Sequence, residues 1–318
     1  MKILYIMDPI EKINIMGDST FVLMMESQKR FKNSYFCTPD DLFSVNNLSY
    51  GKIKQCLVSW EAPYFTITKE EDLCLAEFDL IFMRKDPPFD MSYIFATYML
   101  DLVPKSTLVL NDPNSIRSAN EKMVALQFKE FIPKTLVTRE ISRAKDFAAQ
   151  LPDKVVIKPW DGNGGRGVLI SHHKDPNFTS MLEILTKEER EFIIVQEYVK
   201  EVKKGDKRII LIDGEVAGWM ARIPAENDHR GNMHVGATIA SFELSDRDKE
   251  ICSTIGPFLK KHNLLFVGID IIGEYLTEIN VTSPTGIQEI NKLQNSQLEK
   301  DVLDAAILKY KNKQDQKK

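Results

Sequence analysis

Cysteine is scarce in this chain: Cys37, Cys56, Cys74 and Cys252 are the four in 318 residues, and none forms a CxxC pair. Zinc sites and redox dithiols are therefore disfavoured, and ordinary thiols in a reducing compartment are expected. Long apolar runs are missing too. The longest uncharged candidate, 91–100, is about half of what a membrane-spanning helix needs. Residues 1–9 are apolar only until Asp8, which does not read as a secretory signal, so a cytoplasmic location is expected. No long block of one charge occurs, and the formal net charge is −4, so neither nucleic acid nor a membrane surface is an expected partner. His172, His173, His229, His234 and His262 lack metal spacing with carboxylates, and no GxSxG or Ser-His-Asp pattern supports a hydrolase.

What is present is the balance of a soluble globular protein, 43% hydrophobic and 28% charged, long enough for two domains. Lys2–Met7 reads as a buried strand, and Asp18 caps a helix with Phe21, Met24, Met25 and Gln28 on one face. Ser34–Thr38, Phe78–Arg84 and Thr107–Asn111 read as strands, 90–103 and 115–128 as helices, and Asn111-Asp112-Pro113 as a turn. This alternation predicts an α/β domain with a parallel sheet over residues 1–118, although 44–77 give no clear pattern. Beyond residue 119 the strands come in pairs: 154–159 with 167–171, 207–212 with 215–223 across Asp213-Gly214, and 266–272 with 276–281. A helix from Ser245 to His262 interrupts them, with Ser245 and Asp248 at capping-box spacing. Hairpins plus helices predict an α+β nucleotide-binding region over 119–308, then a polar, frayed tail over 309–318.

Lys158 closes the 154–159 strand, and Asp161-Gly162-Asn163-Gly164-Gly165-Arg166-Gly167 follows. Four glycines in six positions let the backbone approach a ligand and aim N–H groups at phosphate oxygens. A Walker loop is excluded, since Gly-Lys-Ser/Thr and a following helix are missing; strand–glycine loop–strand matches the flap over ATP phosphates in kinases. Lys158 is placed to neutralise those phosphates, with a flexible hairpin and a surface lysine as the plainer reading. The apolar run into Gln196-Glu197-Tyr198-Val199 presents backbone edges to adenine, or is simply a core strand.

Asp270 lies inside one apolar strand, and Glu278 and Asn280 inside the next. Alternation points Glu278 and Asn280 the same way, roughly 7 Å apart, and a three-residue loop 273–275 sets Asp270 opposite Glu278. These hard oxygen donors suit Mg²⁺ bridging nucleotide phosphates, the other reading being a solvent-facing polar stripe. Asp206-Lys207-Arg208 opens one strand and Arg222 closes its partner, while Arg84-Lys85-Asp86 ends an N-terminal strand, where ligands of α/β sheets gather. An arginine's planar fork suits carboxylate or phosphate, although each of these is singly an ordinary surface charge. The polar stretch 224–241, with Arg230, reads as an active-site lid or a disordered loop.

Taken together, these phrases resemble the bacterial glutathione synthetase family of the ATP-grasp carboxylate–amine ligases, over nearly the whole chain. They include Met7-Asp8-Pro9, Met83-Arg84-Lys85-Asp86-Pro87-Pro88-Phe89-Asp90, Asn120-Glu121-Lys122, Lys158-Pro159 with the glycine loop, Gly205-Asp206-Lys207-Arg208, Ala221-Arg222-Ile223-Pro224, Arg230-Gly231-Asn232, and 267–273 followed by 276–287. The resemblance implies an α/β N-terminal parallel-sheet domain for substrate and oligomerisation (1–118), then an α+β ATP-grasp domain (119–308). Within the latter, 119–195 would bind ATP under the flap, and 196–308 would be catalytic and carry the lid. It further implies that Lys122 and Lys158 bind phosphates under Gly162, Asn163, Gly164 and Gly165, with Lys207 among the nucleotide contacts. Gln196, Glu197, Tyr198 and Val199 would hold adenine. Glu278 and Asn280 would bind Mg²⁺ or Mn²⁺, assisted by Asp270. Arg208, Arg222 and the turn Ser283-Pro284-Thr285-Gly286 would position acyl group and amine; Asp18, Ser19, Arg84 and Arg230 would contribute to the substrate pocket. The implied reaction joins γ-glutamylcysteine and glycine with ATP, and the implied assembly is a homo-oligomer, often a tetramer. One departure falls in the lid, where Gly236-Ala237-Thr238 stands in place of the family's Gly-Gly-Arg.

A carboxylate does not react usefully with an amine until a phosphoryl group makes its oxygen a leaving group. Such catalysis is mainly positioning and charge neutralisation, and needs no nucleophilic side chain. Another ATP-grasp ligase with a different substrate, a nucleotide-binding scaffold that has lost catalysis, and a small-molecule kinase are the competing readings.

Overall fold

The computed structural model describes residues 1–162, 164–224 and 238–316. The first domain runs β1 (Ile3–Ile6), α1 (Ser19–Phe31), β2 (Ser34–Cys37), β3 (Leu42–Val45), β4 (Leu48–Val58), β5 (Phe65–Cys74), β6 (Leu80–Met83), α2 (Met91–Asp101), β7 (Leu108–Leu110) and α3 (Pro113–Ser118). β1 is aliphatic and aromatic on both faces and fully buried, so it can sit only at the centre of a covered sheet. It pairs in parallel with β2 and β6, and β6 with β7. The Asp18 carboxylate accepts from the Phe21 N–H at 2.6 Å and starts α1, as its sequence position predicts. Residues 44–77, left open by the sequence, supply β4 and β5 and extend the parallel sheet with antiparallel strands.

A second lobe holds β8 (Thr135–Thr138), α4 (Ile141–Ala149), β9 (Val155–Pro159), β10 (Leu169–Ser171), α5 (Phe178–Thr186) and β11 (Ile193–Glu197). Its antiparallel strands lie in the order β10-β9-β11-β8 and enclose a separate core around Ile157, Phe178, Leu182 and Val195. The third part holds β12 (Asp206–Ile212), β13 (Glu215–Ile223), β14 (Thr238–Ala240), α6 (Asp246–Lys261), β15 (Phe266–Ile272), β16 (Tyr275–Asn280), α7 (Ile287–Gln294) and α8 (Leu298–Asp315). Its sheet order is β14-β13-β12-β15-β16. One face packs Ile209, Leu211, Val267 and Ile269 against α6. The other places Ile210, Ile212 and Met220 in a core shared with α1, α7, α8 and the first sheet.

Two expectations need correction. The predicted helix over 115–128 stops at Ser118, with only a short 3₁₀ turn at Val124–Gln127. Asn120 causes the break: its side-chain oxygen accepts from the N–H groups of Lys122 and Met123, both at 3.1 Å. Nor does the tail fray from residue 309, because α8 is helical to Asp315. Tyr310 donates to Asp79 at 2.6 Å, and Lys313 and Gln314 reach the Thr107 and Ser106 carbonyls. Among the described residues no helix is long and apolar enough to cross a membrane.

Asn111 joins the first sheet to the third. Its amide nitrogen donates to the Phe266 and Val281 carbonyls at 2.9 and 2.7 Å, and its oxygen accepts from Phe266 N at 3.0 Å. Asn111→Asp keeps the shape but removes both donors inside a buried site. We expect a loss of roughly 2–4 kcal/mol, read as a lower denaturation midpoint; an unchanged midpoint would show that the clamp contributes nothing.

Candidate active site

Alternation along β12, β13, β15 and β16 gathers the charged residues on one face. Cross-strand partners are Asp206 with Arg222, Arg208 with Asp270, and Asp270 with Glu278. The predicted Asp270–Glu278 pairing is present by a different route. The β15–β16 turn leaves only residues 273 and 274 between paired strands, and a bulge beside Asp270 restores the register.

Asp270 is the centre of the cluster. Arg208 donates to both its oxygens, at 2.5 and 2.9 Å; Arg222 approaches one at 3.1 Å, and Asn280 Nδ2 donates to the other at 3.2 Å. Burial pushes the Asp270 pKa up, but the two guanidiniums outweigh it and hold the carboxyl down to about 2. Asp206, paired with Arg222, is pushed up to about 6 by burial, with the Asp270 charge adding to the rise against the Arg222 attraction. Arg208 reaches onward to the Thr285 carbonyl at 3.2 Å.

On the lobe side, Lys122 Nζ contacts Glu121 at 2.6 Å, Glu278 at 3.4 Å and the Gly162 carbonyl of the flap. Burial alone would lower its pKa, yet the two carboxylates raise it, so Lys122 is held charged. Lys158 is 6% exposed and its side chain makes no hydrogen bond or ion pair with any described residue; burial lowers its pKa against the attraction of Glu278, and neighbouring Lys122 adds to the fall. Gly164, Gly165 and Gly167 adopt φ of 60°, 75° and 72°, where side chains are strained, so the flap needs its glycines. Asn163, Arg230 and the lid residues Gly236 and Ala237 lie outside the described residues. Thr238 opens β14, opposite Ile223.

At the end of β11, Gln196 donates to the Thr135 hydroxyl at 2.8 Å, and the Glu197 and Tyr198 N–H groups bond the Lys134 and Lys154 carbonyls. Only Val199 lies past both of these ties. Lys207 is separated from the cluster: alternation turns it to the α6 face, where Nζ meets Asp248 at 2.5 Å.

The N-terminal candidates meet the 283–286 turn. Ser19 Oγ accepts from Ile287 N at 3.3 Å, Gln288 donates to the Ile15 and Asp18 carbonyls, and Arg84 donates to the Pro284 carbonyl at 2.9 Å. Gly286 has φ of 120°, and a Cβ there would come within 2.8 Å of Met220. Sequence reasoning did not single out Thr20, Glu121, Asp206 or Gln288 as site residues. Glu121 and Asp206 stand beside recognised lysines, but nothing local marks Thr20 or Gln288.

The description "Prokaryotic glutathione synthetase, N-terminal domain" matches residues 1–117, and "Prokaryotic glutathione synthetase, ATP-grasp domain" matches residues 121–295. The chain belongs to the prokaryotic glutathione synthetase family. It is 45% identical to the glutathione synthetase of Agrobacterium fabrum over 90% of both chains. Against that of Pseudomonas aeruginosa it is 40% identical over 94% of this chain and 95% of the relative. Among solved structures it is similar in fold to a D-cycloserine synthetase (TM-score 0.68, 13% identity, covering 98% and 99% of the chains). D-alanyl-alanine synthetase A of Vibrio cholerae also matches (0.62, 12%, 98% and 99%). ATP-grasp glutathione synthetases use ATP with a divalent metal, and the donors here fit one. Glu278 is partly exposed on the face shared with Asp270 and Asn280, and the Asn280 Nδ2–Asp270 bond leaves its Oδ1 free to ligate. Among the described residues no group of three His, Cys, Asp or Glu is clustered as a metal site.

Asp18, the cap of α1, yields a test of its own. Burial pushes its carboxyl up to about 6, against the Phe21 N–H and the Arg84 charge. A raised carboxyl pKa stabilises the fold fully below the unfolded value near 4, and that contribution is lost as pH rises through about 6. Asp18→Asn retains the cap but cannot ionise. Its midpoint relative to wild type should therefore become more favourable from pH 4 to pH 7, and a pH-independent difference would refute the argument.

Proposed function

We propose that this protein makes glutathione from γ-glutamylcysteine and glycine, converting ATP to ADP and phosphate through an acyl phosphate. One observation supports it most: two runs of polar contacts that meet on neighbouring strands. One goes from the flap carbonyl through Lys122 to Glu278; the other goes from Asp270, the cross-strand neighbour of Glu278, through Arg208 to Thr285 in the turn beside the N-terminal domain. A nucleotide at one end and a dipeptide carboxylate at the other would meet at Arg208 and Arg222.

Lys158 and Lys122 bind the triphosphate, with Gly162 to Gly165 as its cover and Gln196 to Val199 beside the adenine. Glu278 and Asn280, with Asp270, would hold Mg²⁺ or Mn²⁺, which would supply charge neutralisation to the phosphates. Arg208 aligns the dipeptide carboxylate, and its oxygen takes the γ-phosphoryl group. Arg222 then meets the oxyanion as the glycine amine attacks and phosphate leaves. Asp18, Ser19, Ser283, Thr285 and Gly286 shape the substrate pocket. The reading carries with it a cytoplasmic homo-oligomer, a tetramer in its expected form, to be checked by fractionation and native mass.

Purified protein with ATP, Mg²⁺, γ-glutamylcysteine and glycine should yield the tripeptide by mass, with its formation lost when any component is omitted. ADP release indifferent to the dipeptide would sink the proposal. Glu278→Gln should lose turnover by more than ~100-fold with its thermal midpoint kept; an active variant would remove Glu278 from the metal. Arg222→Lys should lower kcat by roughly 10²–10³ while leaving KM for ATP nearly unchanged. Unchanged kcat would remove it from the oxyanion role.

A further inference from the structure

Arg84 is 4% exposed and positively charged, yet both of its hydrogen bonds end on neutral oxygens. Nε donates to Thr20 Oγ1 at 3.1 Å, and Nη2 to the Pro284 carbonyl at 2.9 Å. The guanidinium also lies over the Phe266 ring, 4.9 Å from its centroid. A cation buried without a bonded carboxylate is costly, so its placement calls for a reason.

The reason is visible one peptide further on. The Thr285 carbonyl accepts from Arg208 Nη1 at 3.2 Å, while Nε and Nη2 of Arg208 clasp the two oxygens of Asp270. Two arginines, one from the end of β6 and one from β12, thus grip consecutive carbonyls of a single turn. Phe266, beneath Arg84, opens β15, the strand that carries Asp270. Nε and Nη2 of Arg84 both hold protein oxygens, on α1 and on the turn that Arg208 also grips.

We infer that Arg84 is a positioning residue: it fixes the Pro284–Thr285 turn and, through it, the angle at which Arg208 meets Asp270 and the acyl group. This rests on the ligase reading above and withdraws Arg84 from the substrate contacts that the family resemblance implies.

Arg84→Lys keeps the charge but cannot reach Thr20 and Pro284 together. Its kcat should fall roughly 10–100-fold, as expected for a displacement of about 1 Å at the reacting group. KM for γ-glutamylcysteine and for ATP should stay within about threefold, which a lost substrate contact would not allow. Because Arg84 acts through Arg208, the double variant Arg84→Lys/Arg208→Lys should be no slower than Arg208→Lys alone. Should Arg84→Lys fail to fold, Thr20→Val removes only the Nε bond and should lower kcat by roughly 2–5-fold at unchanged KM. Multiplicative losses in the double variant, wild-type kcat in the folded single variants, or a dipeptide KM raised roughly tenfold at constant kcat would each overturn the role. A wild type that makes no glutathione would overturn the ligase reading and this role together.

Discussion

The shared ownership of one carboxylate organises this site. Asp270 is buried in the middle of a sheet, where an isolated anion would cost several kcal/mol, and Arg208, Arg222 and Asn280 together supply its donors. Both arginines have a second engagement: Arg208 with the Thr285 carbonyl and Arg222 with Asp206. The sheet face therefore changes character along its length, from Ile210, Ile212 and Met220 in the common core to ions at the cleft end. The hydrophobic half anchors the strands, and the ionic half inherits their spacing.

Lys122 and Lys158 are neighbours with opposite electrostatics. Lys122 is paired with Glu121 and Glu278, whereas Lys158 is buried with no carboxylate bonded to it among the described residues and feels Glu278 only at a distance. In the proposed reaction the phosphates supply what Lys158 lacks, while Lys122 ties the flap to the strand carrying Glu278. The glycine loop and the last hairpin are thereby linked although they lie more than a hundred residues apart.

What could be read from the amino-acid order was whatever rests on local signals. The Asp18 cap, the Ser245–Asp248 capping box and the Asp213-Gly214 turn all occur as the residues announce. The common face of Asp270, Glu278 and Asn280 follows from a period of two. What stayed hidden depended on tertiary structure. β5 is exposed along most of its length and bears Lys69, Glu70, Glu71 and Asp72, so no buried stripe marked it as a strand. The 115–128 stretch has helix-forming residues, but the Asn120 side chain and the bond from Ile279 N to the Glu121 carbonyl break it. Bulges at Ile210/Leu211 and Asp270/Ile271 shift the ladders by one residue, which counting from the turns does not reveal. The Lys207 error is of another kind: Lys207 and Arg208 are adjacent in sequence, and adjacency along a strand means opposite faces.

The path of α8 bears on how the molecule is built in time. Leu298, Val302, Leu303 and Ala306 fill the core that covers Tyr5, Leu80 and Phe82 of the first sheet, and Tyr310 and Lys313 fasten its far edge. The strands of the first sheet are made long before the side chains of α8 that shield one of their faces. Folding of that sheet is thus completed only once α8 has been synthesised, and a protein without α8 would lack part of its first sheet's cover.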